Sequence, residues 1–383
     1  MIKDRVKISM RLVIDCFKLI KGAGKSIGIY NLALNLVRDL AAYEQKNHEN
    51  TLIVLGNAFN QKDFDMSGIR FIEIRNKNPR NKLTCILWEL FEVSFYAKKL
   101  RADRVLFPRG YAPMLHWTKE SVIIHDMIPF YYHEQFPGYF NRLENFYIMW
   151  RLRASARGAD DVITISEASK RDILRYSKVA PEKITVIYNG HTAVSCPEDL
   201  DGGNTDGGYI VANTSALPHK NAAGIVKSYE RYCQMTDQPL PLTIVGIGGI
   251  EPFASGCTVS GQITCIQYIE SNEAFHKLIR EASLFVFLPL IEGFGFPPIE
   301  AMQLGTPVLC SDTSSLPEVV GDAAVCVNPR DHEKAAQAIL KLATDRELRR
   351  QLQERGRANV KRFSWDETGK KYRERLFRLD ILD

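Results

Sequence analysis

Residues 287–310 read FLPLIEGFGFPPIEAMQLGTPVLC, and this stretch carries the signals of a strand, a loop, a helix and a second strand in succession. The glycines at 293 and 295 predict a loop whose backbone can approach a ligand closely. Proline at 297 or 298 suits the first turn of a helix, which is expected to end at Gly305 before Pro307 leads into the next strand. The stretch therefore predicts one βα unit of a parallel α/β sheet.

This βα unit also predicts a ligand with a phosphate at its centre. Free backbone N–H groups at a helix N-terminus favour a bound anion. Glu292 precedes the loop and Glu300 falls in the first helical turn, where carboxylates are expected to accept hydrogen bonds from hydroxyl groups. A nucleotide sugar, with a diphosphate between two polyols, fits this arrangement. The alternative is an ordinary strand–turn–helix whose acidic residues favour the helix dipole.

Strands and helices alternate along the whole chain, which predicts two doubly wound α/β domains. A length of 383 residues also exceeds the ~250–300 residues that one core supports. We expect a first domain at 1–194, a Gly- and Asp-rich linker at 195–208, and a second domain at 209–365. A basic amphipathic helix at 366–383 is expected to pack back onto the first domain. Ligands bind at the carboxyl ends of such strands, so two facing domains would form a cleft.

Thirteen apolar runs are the predicted strands. In the first domain they lie at 11–16, 51–55, 70–74, 104–107, 121–125, 161–165 and 184–188, and in the second at 209–212, 242–245, 263–268, 284–288, 308–311 and 324–327.

The composition is that of an ordinary globular protein and excludes several classes. No apolar run is long enough to span a membrane, and the charged start MIKDRVKISMR does not resemble a signal peptide. The eight cysteines form no C-x-x-C pair, so we expect reduced thiols in a cytoplasmic protein, with no zinc site and no disulfides. The first half is basic and the second acidic, which favours an anionic lipid, a phosphorylated substrate or a nucleic acid as the partner of the first half, or is only a surface bias. No nucleic-acid-binding motif is present, and no nucleic-acid partner is expected.

The string EGFGFPPIE at 292–300 resembles the E-x7-E motif of the family 4 retaining glycosyltransferases, which have the GT-B fold of two facing Rossmann-like domains. The spacing is most similar to that of the mannosyltransferase-like subgroup that builds bacterial surface polysaccharides. Further blocks resemble the family in the same order: HDMIPFYYHEQFP (125–137), DVITISEASKRDIL (161–174), KITVIYNG (183–190), PHKN (218–221) and AMQLGTPVLCSDTSSLPEVVGDAA (301–324).

The resemblance implies that the first domain lies on the acceptor side and that the second domain binds the nucleotide sugar, with roles for particular residues of the second domain. Glu292 would bind a hydroxyl of the donor sugar, Glu300 would accept from the ribose, and Lys220 would neutralise the departing diphosphate, which needs a fixed cation or N–H donors. The remaining implied donor-binding residues are Gly293, Phe294, Gly295, Phe296, Tyr268, Ile269, His219, Thr214 and Gly246. Many family members have arginine where this chain has His219, and some have it at Thr214, so Lys220 is the one certain cation there at pH 7.

In the first domain the resemblance places His125 near the reaction centre, at the end of the strand SVII. Asp126 would fix the tautomer of His125 or the loop, and Ser166 would cap the next helix or face the cleft. The turn KGAGKSIGIY (21–30) fails the Walker A and dinucleotide patterns, because Leu19 and Ile27 occupy glycine positions. Gly24 and Gly28 of this turn are instead expected to line the cleft.

Two features are open to more than one interpretation. Asp63-Phe64-Asp65 imitates the metal-binding D-x-D, but the family needs no such motif, so we interpret it as surface and expect a metal-independent protein without cofactor. Residues 83–100, LTCILWELFEVSFYAKKL, predict a helix with aromatic residues and basic ends. That helix would lie peripherally on the inner face of an anionic membrane, or be a buried core helix with solvated ends.

The sequence thus predicts retaining transfer of a hexose from a UDP- or GDP-hexose to a hydroxyl of a growing glycan, possibly lipid-linked. A protein of the same fold that binds nucleotide sugar or polyanion without chemistry is the alternative. The base, the sugar, the acceptor and the linkage are left open.

Overall fold

The chain divides into two compact units in a computed structural model that describes residues 9–22, 27–192, 208–254, 256–259 and 262–377. The first unit comprises residues 1–190 together with 365–383, and the second comprises residues 191–364. The predicted boundaries were 194 and 365, and all of the predicted linker except Gly208 lies outside the described residues. The chain therefore enters the second unit once and returns to the first.

Seven parallel strands form the sheet of the first unit, in the order β3-β2-β1-β4-β5-β6-β7. Its strands are β1 (Arg11–Asp15), β2 (Thr51–Gly56), β3 (Arg70–Glu73), β4 (Arg104–Phe107), β5 (Lys119–Ile123), β6 (Asp161–Thr164) and β7 (Ile184–Val186). Its helices up to the return point are α1 (Ile27–Asn47), α2 (Gln61–Phe64), α3 (Lys82–Leu87), α4 (Val93–Lys99), α5 (Ile128–Gln135), α6 (Arg142–Gly158) and α7 (Glu167–Ser177).

The strands are apolar without alternation because helices cover the sheet on both faces. Every residue of β4 is buried, and the one charged member, Arg104, donates from Nη1 to Ser121 Oγ at 2.9 Å. β1 lies where the strand order reverses, with β2 on one side and β4 on the other. The carboxyl edge beside β1 is thus the topological switch point, where doubly wound sheets bind ligands.

The predicted helix at 83–100 is interrupted. A π-helical segment, Trp88–Glu92, joins α3 to α4. One side of the assembly is buried, including Cys85, Trp88 and Val93, while Phe91 and Phe95 are exposed on the other. The alternative of a buried core helix therefore holds for one face, and membrane contact stays a prediction for the exposed one.

Six parallel strands form the second sheet, in the order β10-β9-β8-β11-β12-β13. They are β8 (Ile210–Asn213), β9 (Leu242–Val245), β10 (Ile263–Ile266), β11 (Leu284–Phe287), β12 (Val308–Ser311) and β13 (Val325–Val327). The helices of this unit are α8 (Ala222–Cys233), α9 (Asn272–Arg280), α10 (Phe296–Gln303), α11 (Leu316–Val320), α12 (His332–Thr344) and α13 (Arg346–Asn359). The strand order reverses at β8, so the switch point of this sheet lies between β8 and β11.

The last described helix, α14 (Trp365–Leu376), belongs to the first unit and packs beside α1. Tyr372 and Leu376 are buried, as the amphipathic pattern predicts. Arg375 Nε donates to the buried Asp161 carboxylate at 2.7 Å, and Arg373 pairs with Asp39.

Two parallel α/β domains confirm the predicted fold class. Within the described parts of the chain, none of the helices combines the length and apolar character needed to cross a bilayer. The cysteines that the structure describes are all free thiols.

Candidate active site

The loop after β11 begins the site in the second unit. β11 ends at Phe287 and α10 starts at Phe296, with Gly295 between them at a φ of 118°. A Cβ at Gly295 would lie 2.5 Å from Leu316 Cδ2, so glycine is needed for both conformation and space. Pro297 and Pro298 occupy the first turn of α10. Because proline lacks an N–H, this helix N-terminus offers fewer donors to an anion than the sequence argument assumed.

An ion pair joins the two parts of the predicted donor site. Lys220 ends a short 3₁₀ turn, Pro218–Lys220, that precedes α8, and its Nζ pairs with Glu292 Oε1. The side chains are 26% and 12% exposed, so both are shielded but reachable. Lys220 Nζ also lies 5.8 Å from the ring centroid of Phe287. The lysine and the first acid of the E-x7-E motif therefore form one charged unit at the carboxyl edge of the sheet.

Two serines that the sequence argument missed hold the Glu292 loop. The backbone N–H of Glu292 donates to Ser314 Oγ at 2.9 Å. Ser315 Oγ lies 3.0 Å from the carbonyl oxygen of Glu292 and 2.7 Å from that of Phe294. Both serines follow β12, which is the neighbour of β11 in the sheet. Their position after that strand is the signal that could have identified them, since neighbouring strands end at the same edge.

Glu300 lies in α10 but beyond its first turn, where the sequence had placed it, because the helix begins at Phe296. Its carboxylate has no hydrogen-bond partner among the described residues. Burial raises the pKa of Glu300 above its ordinary value. A shielded carboxylate without a partner is costly unless a ligand donates to it. Glu300 is therefore available to accept hydrogen bonds from hydroxyl groups.

Three further predicted residues shape the backbone beneath the ion pair. Thr214 Oγ1 donates to the carbonyl of Lys220 at 2.8 Å, which fixes the 3₁₀ turn. His219 is only 6% exposed, and its carbonyl accepts from Leu290 N at 2.7 Å. A Cβ on Gly246, whose φ is 107°, would lie 2.0 Å from the carbonyl oxygen of Thr214. Thr214 and His219 thus take part in the framework of the site.

The remaining predicted donor residues lie at β10 and in the loop. Tyr268 follows β10 and is 77% exposed, whereas Ile269 packs against the apolar core. Gly293 and Phe294 are buried in the loop before α10, and Phe296 is partly buried. An open pocket of about 440 Å³ lies at the ends of β9 and β10, lined by residues that include Gly246, Gly248, Gly249, Phe253 and Gln267. Of these the sequence argument identified Gly246 alone.

In the first unit, His125 follows β5 at the carboxyl edge. Its Nε2 lies 2.7 Å from the carbonyl oxygen of Pro108, which can only accept, so Nε2 carries the proton. Burial lowers the pKa of His125 to about 4, which keeps the imidazole neutral at physiological pH. Asp126 Oδ1 accepts from the backbone N–H of Ile128 at 3.0 Å and so fixes the loop that leads into α5.

The other predicted residues of the first unit lie at the beginnings of two helices or outside the described residues. Ser166 is buried and caps α7, with its Oγ accepting from Ser169 N at 3.0 Å. Gly28 is exposed in the first turn of α1, and Gly24 lies outside the described residues. His125 and Ser166 are linked through Ser169, whose Oγ donates to the carbonyl of His125 at 2.8 Å.

The D-x-D segment makes local contacts. Asp63 Oδ2 accepts from the Tyr30 hydroxyl at 2.6 Å, and Asp65 Oδ2 accepts from Gln61 Nε2 at 3.2 Å. In the ranges that the structure covers, no group of three His, Cys, Asp or Glu side chains has a metal-binding arrangement.

Two family descriptions match successive parts of the chain. Residues 28–192 match Glycosyltransferase Family 4, and residues 202–359 match Glycosyl transferases group 1. Together these matches cover most of both units.

Curated relatives include two mannosyltransferases. The chain is 30% identical over 233 residues to O-antigen chain mannosyltransferase B of Escherichia coli. This alignment covers 57% of this chain and 61% of that protein. It is 27% identical over 285 residues to O-antigen chain mannosyltransferase RfbU of Salmonella typhimurium, covering 70% of this chain and 73% of that one. The alignment with the first relative thus spans less than two thirds of its length.

Solved structures with similar folds include WaaG, a glycosyltransferase involved in lipopolysaccharide biosynthesis. Its TM-score is 0.69 at 16% identity, covering 95% of this chain and 99% of WaaG. Anabaena Alr3699/HepE in complex with UDP also has a TM-score of 0.69 at 16% identity, covering 97% of this chain and 100% of that one. At such identities the similarity shows the fold alone, which is GT-B.

Proposed function

Because the chain belongs to the family 4 glycosyltransferases, we propose that it transfers a hexose, with retention of configuration, from a nucleotide-diphosphate sugar to a hydroxyl of a growing glycan. The observation that carries the proposal is the Lys220–Glu292 pair beside an unpartnered Glu300. The mannosyltransferase names of the relatives favour mannose as the sugar and bacterial surface polysaccharide as the product.

Binding of the donor would exchange the partners of this ion pair. Lys220 would leave Glu292 for the diphosphate, where a fixed cation stabilises the charge that develops on the leaving group. Glu292, released from Lys220, would accept a hydrogen bond from the sugar. Glu300 would accept from the ribose, and the glycine-lined pocket behind Gly246 would receive the base.

Charge neutralisation in this proposal rests on Lys220 and on backbone donors, so no metal is required. Backbone N–H groups of the loop 293–295 would share the task, since two prolines reduce the donors of α10. EDTA is therefore expected to leave transfer unchanged, and a metal requirement would contradict this part of the proposal.

A panel of UDP- and GDP-hexoses tests the donor site directly. The matching sugar nucleotide should raise the melting temperature of the protein, because a ligand that binds only the folded state stabilises it. The same donor should then release free nucleotide slowly and give a glycoside whose anomeric configuration, read by NMR, equals that of the donor. No thermal shift with any donor would contradict the proposed site.

A second candidate function is binding of a nucleotide sugar without chemistry. The hydroxyl of Thr214 is engaged in the framework and His219 is buried, so neither position adds the permanent charge of an arginine beside Lys220. A thermal shift without any nucleotide release over hours would favour this alternative over transfer.

We also propose that the acceptor is lipid-linked and that the first unit contacts an anionic membrane. Leu83, Leu87, Phe91 and Phe95 recur at every fourth residue along α3–α4, and each is at least 40% exposed. On α6, Leu143, Phe146 and Trp150 form a second exposed stripe. These seven residues are named the apolar face.

Contacts between the two helices place the stripes side by side. Lys82 Nζ lies 3.2 Å from Glu144 Oε1, and Arg151 Nη2 donates to the carbonyl of Glu89 at 3.3 Å. Exposed basic residues surround the apolar face, namely Arg80, Lys82, Lys98, Lys99 and Arg142. An apolar surface with a basic margin has the chemistry that an anionic bilayer recognises.

Vesicle sedimentation tests the apolar face. The protein should bind vesicles of phosphatidylglycerol and phosphatidylcholine more tightly than pure phosphatidylcholine, and Phe91→Ser/Phe95→Ser should lose this binding. Ile27→Ser, a change at an exposed apolar residue of α1 outside the apolar face, is the control and should bind normally. Equal binding by the double variant would contradict the membrane contact.

A further inference from the structure

Two cysteines of the second unit lie side by side on neighbouring strands. Cys310 of β12 pairs directly with Cys326 of β13 in the parallel register, and their Sγ atoms are 3.6 Å apart. Directly paired residues of neighbouring strands have their side chains on the same face of the sheet. Adjacent strands are ~4.7–4.9 Å apart, which is within the Cα separation that a disulfide spans. The sheet thus holds both thiols in a position from which they can bond.

The two thiols differ in exposure and in acidity. Cys310 is fully buried, whereas Cys326 lies on β13, an edge strand of the sheet, and is partly exposed. The hydrogen bond between the thiols raises the pKa of Cys310 and lowers the pKa of Cys326, although burial and the Asp312 carboxylate oppose the second effect. Cys326 is therefore the more acidic and the more accessible thiol, and Cys310 is placed behind it as a second thiol.

Strand β12 leads directly to the loop that carries Glu292. Ser311, the neighbour of Cys310 in the chain, donates from Oγ to the carbonyl of Pro289 at 2.6 Å. Ser314, further along the same segment, accepts at its Oγ from the Glu292 N–H at 2.9 Å. A movement of Cys310 would therefore reach the acid of the ion pair through the contacts of one short segment.

Strand β13 leads to the other partner of the ion pair. The carbonyl of Pro329, which follows this strand, accepts from Asn221 Nδ2 at 3.1 Å. The same amide nitrogen donates to the carbonyl of Leu288 at 2.8 Å. Asn221 comes directly after Lys220 in the chain. The two cysteines thus lie at the base of the two segments that position the ion pair.

We propose that Cys310 and Cys326 form a reversible disulfide with a peroxide as the oxidant, and that this modification weakens nucleotide binding in the second unit. The Cys326 thiolate attacks one peroxide oxygen, the O–O bond breaks, and hydroxide leaves, which gives a sulfenic acid. The sulfur of Cys310 then attacks Cys326 Sγ, the S–O bond breaks, and the departing hydroxide takes the Cys310 proton to form water. The two sulfurs together lose two electrons, and one hydrogen peroxide is reduced to two waters.

The direction of the effect follows from the contacts that exist in the reduced protein. The two sulfurs must approach from 3.6 Å to about 2.05 Å, so the paired strands are drawn together at this point. The hydrogen bonds of Ser311, Ser314 and Asn221 are 2.6–3.1 Å long, which is close to the favoured length, so a shift of the strands weakens them. The disulfide requires nothing of the proposed function, whereas its effect on nucleotide binding rests on that function.

Mass spectrometry tests the disulfide without reference to activity. Glu318 separates the two cysteines in the chain, so a glutamate-specific protease places Cys310 and Cys326 on different peptides. After treatment of the folded protein with hydrogen peroxide, these two peptides should remain joined, and dithiothreitol should separate them. If peroxide yields no joined peptides, the proposal is wrong.

Cysteine variants show whether this pair is responsible. Cys326→Ala and Cys310→Ala should give no joined peptides and should lose every effect of peroxide described below. If the buried substitution at Cys310 prevents folding, Cys326→Ala alone decides the outcome. Cys265→Ala is the matched control, because Cys265 lies on the opposite edge strand, β10, and pairs with Ile244. This control should still form the disulfide, and its loss there would contradict the assignment.

Hydrogen exchange and nucleotide binding test the consequence of oxidation separately. Without nucleotide, amides of the loop 288–296 should exchange faster in the oxidised wild type than in the reduced one, because the hydrogen bonds that hold this loop are weakened. The Kd for UDP or GDP should rise at least about fivefold on oxidation, the lower end of coupling between two sites, and dithiothreitol should restore it.

The outcomes distinguish this inference from the proposed function. Joined peptides with an unchanged exchange rate in the loop would overturn the coupling between the thiols and the site. A Kd that oxidation leaves unchanged would overturn the effect on nucleotide binding. If neither UDP nor GDP binds the reduced protein, while the joined peptides and the faster exchange are found, the donor proposal fails and the oxidation site stands.

Discussion

The carboxyl edges of the two sheets hold their polar groups in different ways. At the second edge, Lys220 and Glu292 already neutralise each other, and serines that follow the next strand fix the backbone beneath them. At the first edge, burial moves the pKa of Asp15 up to about 6 and that of His125 down to about 4. The second edge thus holds a closed ion pair, whereas burial shifts the pKa values of the groups at the first edge.

The largest expected effect comes from removing the cation of the second edge. Lys220→Ala should lower the rate of transfer by ~10²-fold, the loss typical of one group that stabilises developing charge. Initial rates with saturating donor measure the effect. Lys227→Ala, an exposed lysine of α8, is the matched control and should retain full activity. Wild-type turnover in Lys220→Ala would show that the ion pair is only structural.

Gly246→Ala tests whether the second edge depends on close backbone packing. The new Cβ would lie 2.0 Å from the Thr214 carbonyl at a φ of 107°, so the variant should lose more than about 2 kcal/mol of unfolding free energy. Gly256→Ala has a similarly positive φ of 77° with open space around the Cβ, and should cost about 1 kcal/mol. Equal midpoints in urea for the two variants would contradict the steric account.

The first edge should affect stability in two opposite directions between pH 7 and pH 4. The folded pKa of His125 is about 4, below its ordinary 6.5, so stability present above pH 6.5 is lost as the pH falls towards 4. The folded pKa of Asp15 is about 6, above its ordinary 3.8, so stability present below pH 3.8 is lost as the pH rises through 6. Acidification therefore lowers the stability of the folded state through His125 and raises it through Asp15.

Single variants should separate these two contributions. Relative to the wild type, the free energy of unfolding at acidic pH should be higher for His125→Asn and lower for Asp15→Asn, each by on the order of 2 kcal/mol. Melting temperatures at pH 4.5 and pH 7 measure both. His133→Asn, an exposed histidine of α5, should follow the wild type. If the melting temperatures of all four proteins change equally between pH 4.5 and pH 7, the proposed contributions of His125 and Asp15 to stability are wrong.

The smallest expected effect belongs to the serine that supports the Glu292 loop. Ser315→Ala leaves the carbonyls of Glu292 and Phe294 without this donor and should cost ~1–2 kcal/mol of stability. The Kd for nucleotide should rise only severalfold, because the charged pair remains. Ser228→Ala removes a buried serine of α8 that donates to Gly224 O, and its nucleotide affinity should not change.

The sequence predicted the strands well because parallel strands covered on both faces are continuous apolar runs. RVLF at β4 and VLCS at β12 have no alternation, and each begins and ends within a residue of the prediction. The amphipathic pattern at 366–383 was the basis for expecting the last helix to pack back onto the first unit. The π-helical segment was missed, since Trp88 turns inward to reach Asp15, a residue 73 positions earlier.

The residues of the proposed donor site can be picked out from the sequence more easily than the groups at the first edge. Glu292 and Glu300 lie on one βα unit, so a single stretch of sequence shows both. Asp15 and Arg109 are 94 positions apart, and only the strand order brings them to one edge. A carboxylate at the end of a strand has no local signal, because its neighbours are set by which strands pair.

The return of the chain at Trp365 also determines when the first unit can be complete during synthesis. Gly190 packs so closely against Trp365 that a Cβ there would lie 2.6 Å from the indole, and the buried Asp161 has its arginine partner at position 375. Until the ribosome has released α14, Asp161 lacks its arginine partner and the groove beside α1 is uncovered. The second unit is continuous in sequence, so it can finish folding before the first unit is complete. A chain that stalls late in translation would therefore expose the incomplete first unit to chaperones and proteases.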